Sequence, residues 1–189
     1  MPGPPRGVAA GAYHADVGNT GEGRTLVVVR HAKAEPYAAS DFERALADRG
    51  RADAAAAGNW IAGTGVAPDL ALVSAAVRTR QTWESMASAA GWDLEPQLDR
   101  SLYAADEDTV LELLAATPDD VTTVVVIGHN PTMAVVAQLL DDGAGDPEAT
   151  AGLSSGYPTC AVAVFDLPGG WGGIGPGGAR LRAFHVGRA

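Results

Sequence analysis

The sequence predicts an α/β domain with three layers, helices packed on both sides of a mostly parallel sheet. Three observations carry that prediction. Short β-branched apolar runs alternate with longer helical stretches, which is the order of a parallel sheet with crossover helices. The runs are apolar at successive positions, as in strands buried on both faces. The length, 189 residues, suits one domain.

Thr25–Val29 (TLVVV) reads as the first buried strand. Asp48–Ala62 is Ala-rich and stops at Gly63, a helix. Leu70–Val73 is a second strand, and Ala76–Ala90 a helix closed by Gly91. Trp92–Leu98 is read as a third strand. Asp106, Glu107 and Asp108 precede Val110, Leu111, Leu113 and Leu114. Acids there suit the first turn of a helix. Val121–Ile127 is the clearest strand. Asn130-Pro131 then supplies an N-cap and a proline at the first helical position, opening a helix to Leu140. Asp141–Tyr157 reads as a loop. Cys160–Leu167 and Arg180–Val186 read as an antiparallel hairpin with a long, flexible Gly-rich tip. The Gly/Pro-rich residues 1–23 are expected to form a flexible tail, leaving residues 24–189 as a single domain.

Composition narrows the function. The chain carries 13 Lys+Arg against 23 Asp+Glu, a formal charge of −10. Such a chain is a poor general binder of nucleic acid or anionic membrane. Any anion it holds needs a local basic pocket. Cys160 is the lone cysteine, which excludes an intrachain disulfide and favours a cytoplasmic setting. It is expected to be a small apolar strand residue. No apolar run approaches the roughly 20 residues of a membrane span. His14 lies in the expected tail and His185 in the last strand, so neither completes a metal cluster with His31 and His129; no metal and no cofactor are expected. Gly173, Gly175 and Gly178 spell G-x-G-x-x-G. They precede a strand rather than open a helix, so they are not read as a dinucleotide site. Trp60, Trp83 and Trp92 are expected in the core.

Three strand ends are polar: Arg30-His31, Ser74 with Arg78 and Arg80 just beyond, and Gly128-His129-Asn130. In an open parallel sheet the carboxyl ends of the strands line one crevice, where ligands bind. Two histidines, two or three arginines and a helix N-terminus would meet there. That set calls for a phosphate or carboxylate.

The segments LVVVRHAKAE, SAAVRTRQT and VVVIGHNP resemble the three signature segments of the histidine phosphatase superfamily, the phosphoglycerate-mutase-like fold. FERALADRGRADA resembles the stretch that follows the first motif in its small members. Length and spacing are closest to the SixA-like phosphohistidine phosphatases. The resemblance implies hydrolysis through a phosphohistidine on His31. It also implies a phosphorylated protein or small phosphate compound as substrate. No insertion is long enough for a cap domain. A general phosphomonoesterase and a phosphate-binding module without turnover are the alternatives.

A neutral imidazole attacks phosphorus well when one ring nitrogen is held as N–H and the other is free. Spacing alone does not choose between His31 and His129; the resemblance implies His31. Arg30 and Arg78 are the expected phosphate clamp, since guanidinium forks match phosphate oxygens. Arg80, two positions beyond Arg78 on a helix, should point elsewhere. Arg44 matches an arginine that SixA-like proteins bring to the phosphate, although Ala45 stands where the family has proline. His129 and Asn130, at a helix start, are expected to hold phosphate oxygens. Lys33 and Glu35 are read as an exposed charge pair. No acid matches the general acid of larger members. Asp99, Asp106 and Glu107 are the nearby carboxyls. A phosphoramidate needs such an acid less than an alcohol ester does.

Overall fold

A computed structural model of the chain describes residues 23–189; the expected N-terminal tail, but for Gly23, lies outside the described residues. Six strands form one sheet in the order β3-β2-β4-β1-β5-β6. They are β1 (Arg24–Arg30), β2 (Leu70–Ser74), β3 (Gln97–Asp99), β4 (Thr123–Gly128), β5 (Ala161–Leu167) and β6 (Arg180–Val186). β1 runs parallel to β4, which runs parallel to β2, which runs parallel to β3. β5 lies antiparallel on the other side of β1, and β6 antiparallel to β5. The helices are α1 (Asp48–Ala62), α2 (Val77–Ala90), α3 (Glu107–Ala115), α4 (Thr132–Leu140) and α5 (Pro147–Ser154).

The alternation of side chains along a strand builds two cores. Leu26 and Val28 join Val124 and Val126 in one, with residues of α3, α4 and α5. Val27 and Val29 join Val125 and Ile127 in the other, with residues of α1 and α2. These positions are buried, so the continuous apolar runs are explained: both faces of each central strand are covered. α1 and α2 pack at close range, since a Cβ on Gly58 would stand 2.3 Å from the Met86 carbonyl oxygen. α2 ends as expected on Gly91, whose φ of 72° is left-handed.

Some expectations need correction. The Asp141–Tyr157 stretch is not all loop, because it holds α5, with the Asp146 carboxylate accepting from the Ala149 N–H and Pro147 in the first turn. Helix α4 starts at Thr132 with Pro131 as its cap. Asn130 therefore lies before the helix and does not cap it. The third strand is shorter and later than Trp92–Leu98, covering only Gln97–Asp99. Cys160 precedes β5, at φ 63°. It is fully buried, and burial pushes its thiol up to about 12. The Gly-rich tip is anchored, because Trp171 is fully buried and its indole N–H donates to the Val121 carbonyl at 2.8 Å. Of the three core tryptophans, Trp83 is buried. Trp60 and Trp92 are half-buried at the edge of the core, and Trp60 stacks on His185, ring centroids 4.6 Å apart.

Candidate active site

The carboxyl ends of β1, β2 and β4 meet at one end of the sheet. β5 begins at the same end because it runs antiparallel. A cleft of about 370 Å3 opens there, lined by Arg30, His31, Lys33, Ala34, Arg44, Arg78, His129, Asn130 and Thr159. All six expected site residues line it. Lys33 is there too and forms no ion pair with Glu35 among the described residues, which corrects the charge-pair reading. Arg80 lines a separate groove with Trp83 and Leu98.

His31 follows β1 directly and is 8% exposed. Its Nδ1 lies 2.7 Å from the Ala32 carbonyl oxygen. A carbonyl only accepts, so Nδ1 carries the hydrogen and Nε2 keeps its lone pair. Arg78 Nε donates to that Nε2 at 3.3 Å. His129 is the mirror case. Its Nδ1 receives Arg78 Nη2 at 3.2 Å, and a guanidinium only donates. The proton therefore sits on Nε2, which donates to Ser74 Oγ at 2.8 Å. The two rings stand 5.2 Å apart, each turning a lone pair toward Arg78.

Burial is the main force keeping both rings neutral. It lowers His31 to about 4, with the Arg78, Arg30 and Arg44 cations adding to the effect against the Ala32 carbonyl. Burial lowers His129 to about 3, helped by His31 and Arg78.

The segment before β5 forms the opposite wall. The Tyr157 carbonyl accepts from Arg30 Nη1 and from Asn130 Nδ2, each at 2.9 Å. The Cys160 N–H donates to the His31 carbonyl at 3.1 Å. Burial raises the Tyr157 phenol, which donates to the Val28 carbonyl at 2.8 Å.

Two partners of the arginines escaped sequence reasoning. Asp41 lies in a single 3-10 turn, Asp41–Glu43. Its carboxylate accepts from Arg78 Nη2 at 3.0 Å, Arg44 Nε at 2.9 Å and Tyr103 Oη at 2.7 Å. The Tyr103 hydrogen bond is the largest influence holding it down at about 2, with Arg78 and Arg44 contributing. Nothing in the spacing of Asp41 points to Arg78. The sole available signal was an acid three residues before Arg44.

The three carboxyls considered as general acids are employed elsewhere. Asp99 accepts from Ser101. Asp106 caps α3, accepting from Thr109. Glu107 is half-buried and lines a neighbouring trough that also touches His129 and Asn130. None of them hydrogen-bonds a residue of the cleft. Among the described residues, no cluster of three or more His, Cys, Asp or Glu side chains could hold a metal ion. No helix there is long and apolar enough to cross a membrane.

A cluster of guanidinium groups around two neutral imidazoles, at the open end of a sheet, defines a phosphoryl-handling α/β protein. The chain belongs to the histidine phosphatase superfamily and is a phosphatase-type hydrolase. Residues 26–106 match the family model for the histidine phosphatase superfamily, branch 1. An uncharacterized protein of Mycobacterium tuberculosis (strain H37Rv) is 38% identical over 162 residues, which are 85% of this chain and all of the relative. The fold is shared with a structure provisionally assigned as the phosphohistidine phosphatase SixA of Nakamurella multipartitia. That match has a TM-score of 0.77 at 33% identity, covering 89% of this chain and 99% of the other. The protein histidine phosphatase SixA complexed with tungstate matches with a TM-score of 0.70 at 25% identity, covering 86% of this chain and 96% of the other.

Proposed function

We propose that this chain is a phosphohistidine phosphatase in which His31 carries the phosphoryl group. One observation supports the role above all: the Nδ1–H bond to the Ala32 carbonyl fixes the tautomer and leaves Nε2 as a lone pair in the cleft. Arg30, Arg44, Arg78 and Lys33 surround it. They supply charge to the equatorial oxygens in the transition state. The His31 lone pair forms a P–N bond as the bond to the leaving group breaks. The departing electron pair stays on the leaving atom. Water then attacks the phosphohistidine, releasing inorganic phosphate and restoring the neutral imidazole. His129, its Nε2–H on Ser74 Oγ and its Nδ1 accepting from Arg78, positions that guanidinium beside the phosphoryl group, and Asn130 holds the wall at Tyr157.

The acids support a phosphohistidine substrate. Asp41 stays ionised down to about pH 2 and cannot lend a proton at neutral pH. Asp99 and Asp106 are bound elsewhere. None of Asp41, Asp99 and Asp106 is thus placed to protonate an alkoxide leaving group, and Glu107 hydrogen-bonds no residue of the cleft. An imidazole leaving group takes its proton on its distal nitrogen from water. The relative bound to tungstate, a tetrahedral oxyanion, has the same protein-histidine substrate in its name.

The test is a quenched reaction with a phosphohistidine protein. An acid-labile, alkali-stable label should appear on a peptide containing His31. His31→Ala should abolish label and turnover, while His129→Ala should slow both without moving the label. A label on His129, or undiminished turnover of His31→Ala, would refute the assignment.

A further inference from the structure

Resting on that reading of the cleft, we propose that Asp41 is a positioning residue that sets how tightly the site holds an oxyanion. The Arg78 guanidinium has five N–H groups. Four are in use: Nε on His31, one Nη1 hydrogen on the Asp41 main-chain oxygen at 2.6 Å, and both Nη2 hydrogens, on the Asp41 carboxylate and on His129. The two sets differ in kind. The bonds to the histidines face the cleft and are long, 3.3 and 3.2 Å. Those to Asp41 are shorter and charge-assisted, or bind the main chain.

A phosphoryl group entering between the imidazoles competes for the first set. It leaves the second in place, because Asp41 does not line the cleft while Arg78 and Arg44 do. Asp41 is thus the fixed end of the guanidinium, and the histidine contacts are the exchangeable end. The same carboxylate also binds Arg44, so one negative charge draws on two of the cations facing the substrate. Tyr103 in turn claims part of that charge through its hydroxyl. The side chain of Asp41 is 55% exposed, so solvent moderates the effect without erasing it.

A residue with this role leaves a signature that a merely structural one does not. Removing its charge strengthens ground-state binding of an oxyanion and weakens turnover, because the arginines gain free charge but lose their aim. Titration calorimetry of the full chain with inorganic phosphate, and separately with tungstate, reads the first effect without needing a substrate. Asp41→Asn should bind phosphate roughly three- to tenfold more tightly and turn over an activated aryl phosphate about tenfold more slowly. Tyr103→Phe, which returns charge to the carboxylate, should move phosphate affinity the other way, by roughly twofold. Unchanged or weaker phosphate binding in Asp41→Asn, in a variant with the wild-type melting temperature, overturns the proposal. Should Asp41→Asn melt early, tighter phosphate binding in Tyr103→Phe overturns it instead. Wild-type protein that binds phosphate but hydrolyses neither phosphohistidine protein nor aryl phosphate would refute the proposed function alone, and the binding comparison would still decide the role of Asp41.

Discussion

Lowering the pH from 7.5 to 5.5 should barely touch the proposed nucleophile. Only the neutral ring of His31 has a lone pair to give. An ordinary imidazole with its pKa near 6.5 is about one-tenth neutral at pH 5.5. His31, lowered to about 4 by burial and then by its arginines, is still almost wholly neutral there. The value of kcat/KM, corrected for ionisation of the substrate phosphate near pH 6, should therefore change little between these pH values. An unshifted nucleophile would lose about tenfold. The acid limb should fall near pH 4 and coincide with the titration of the His31 ring followed by NMR. Arg78→Ala removes one of the cations and opens the site, so its limb should move toward higher pH even as its rate drops. Stability has its own sign. The folded ring binds its proton less readily than the unfolded one, so the unfolded chain gains protons first as pH falls from 6.5 toward 4. Stability is then lost across that window. A wild-type limb centred near pH 6.5 would refute the account of a buried, cation-flanked imidazole.

Other outcomes follow from the same contacts. Arg30→Ala and Arg78→Ala should each lower turnover by roughly 10²-fold, whereas Arg80→Ala, in its separate groove, should change it little; steady-state rates decide. Ser74→Ala strips the acceptor from His129 Nε2 and should cost about 1–3 kcal/mol in denaturant unfolding, with a lower rate. Trp171→Ala should destabilise by about 3–5 kcal/mol, despite its glycine-rich setting, and a loss under 1 kcal/mol would show that the tip is not anchored.

The central strands and the residues of the cleft were legible because their signals are local. Runs such as VTTVVVI announce themselves, and each polar strand end directly follows such a run. Asp41 and Tyr103 were illegible for the opposite reason. Their meaning comes from Arg78, 37 and 25 positions away, and a turn acid or a lone tyrosine looks the same with or without that partner. Helix α5 was missed although its Asp146-Pro147 start was present, because its eight residues bury only Ala149 and Leu153, too weak an apolar period to read. Asn130-Pro131 misled by one step. The helix starts one residue later than the cap signal implies, with Pro131 as its cap, and Asn130 instead donates Nδ2–H to the Tyr157 carbonyl.

The Tyr157 contact has a wider bearing on how such sites drift. Arg30 and Asn130 both lean on a main-chain oxygen, and His31 is braced by the main-chain N–H of Cys160. Position 157 can change its side chain without losing its main-chain oxygen, whereas position 160, buried at a φ of 63°, is restricted to small residues that tolerate the left-handed region. The wall can therefore be kept while its letters change. Relatives that differ at 157 still grip the same arginine. The side chain of Tyr157 is tied instead to Val28 in the sheet interior, so selection on that phenol would reach the cleft only through the placement of the backbone.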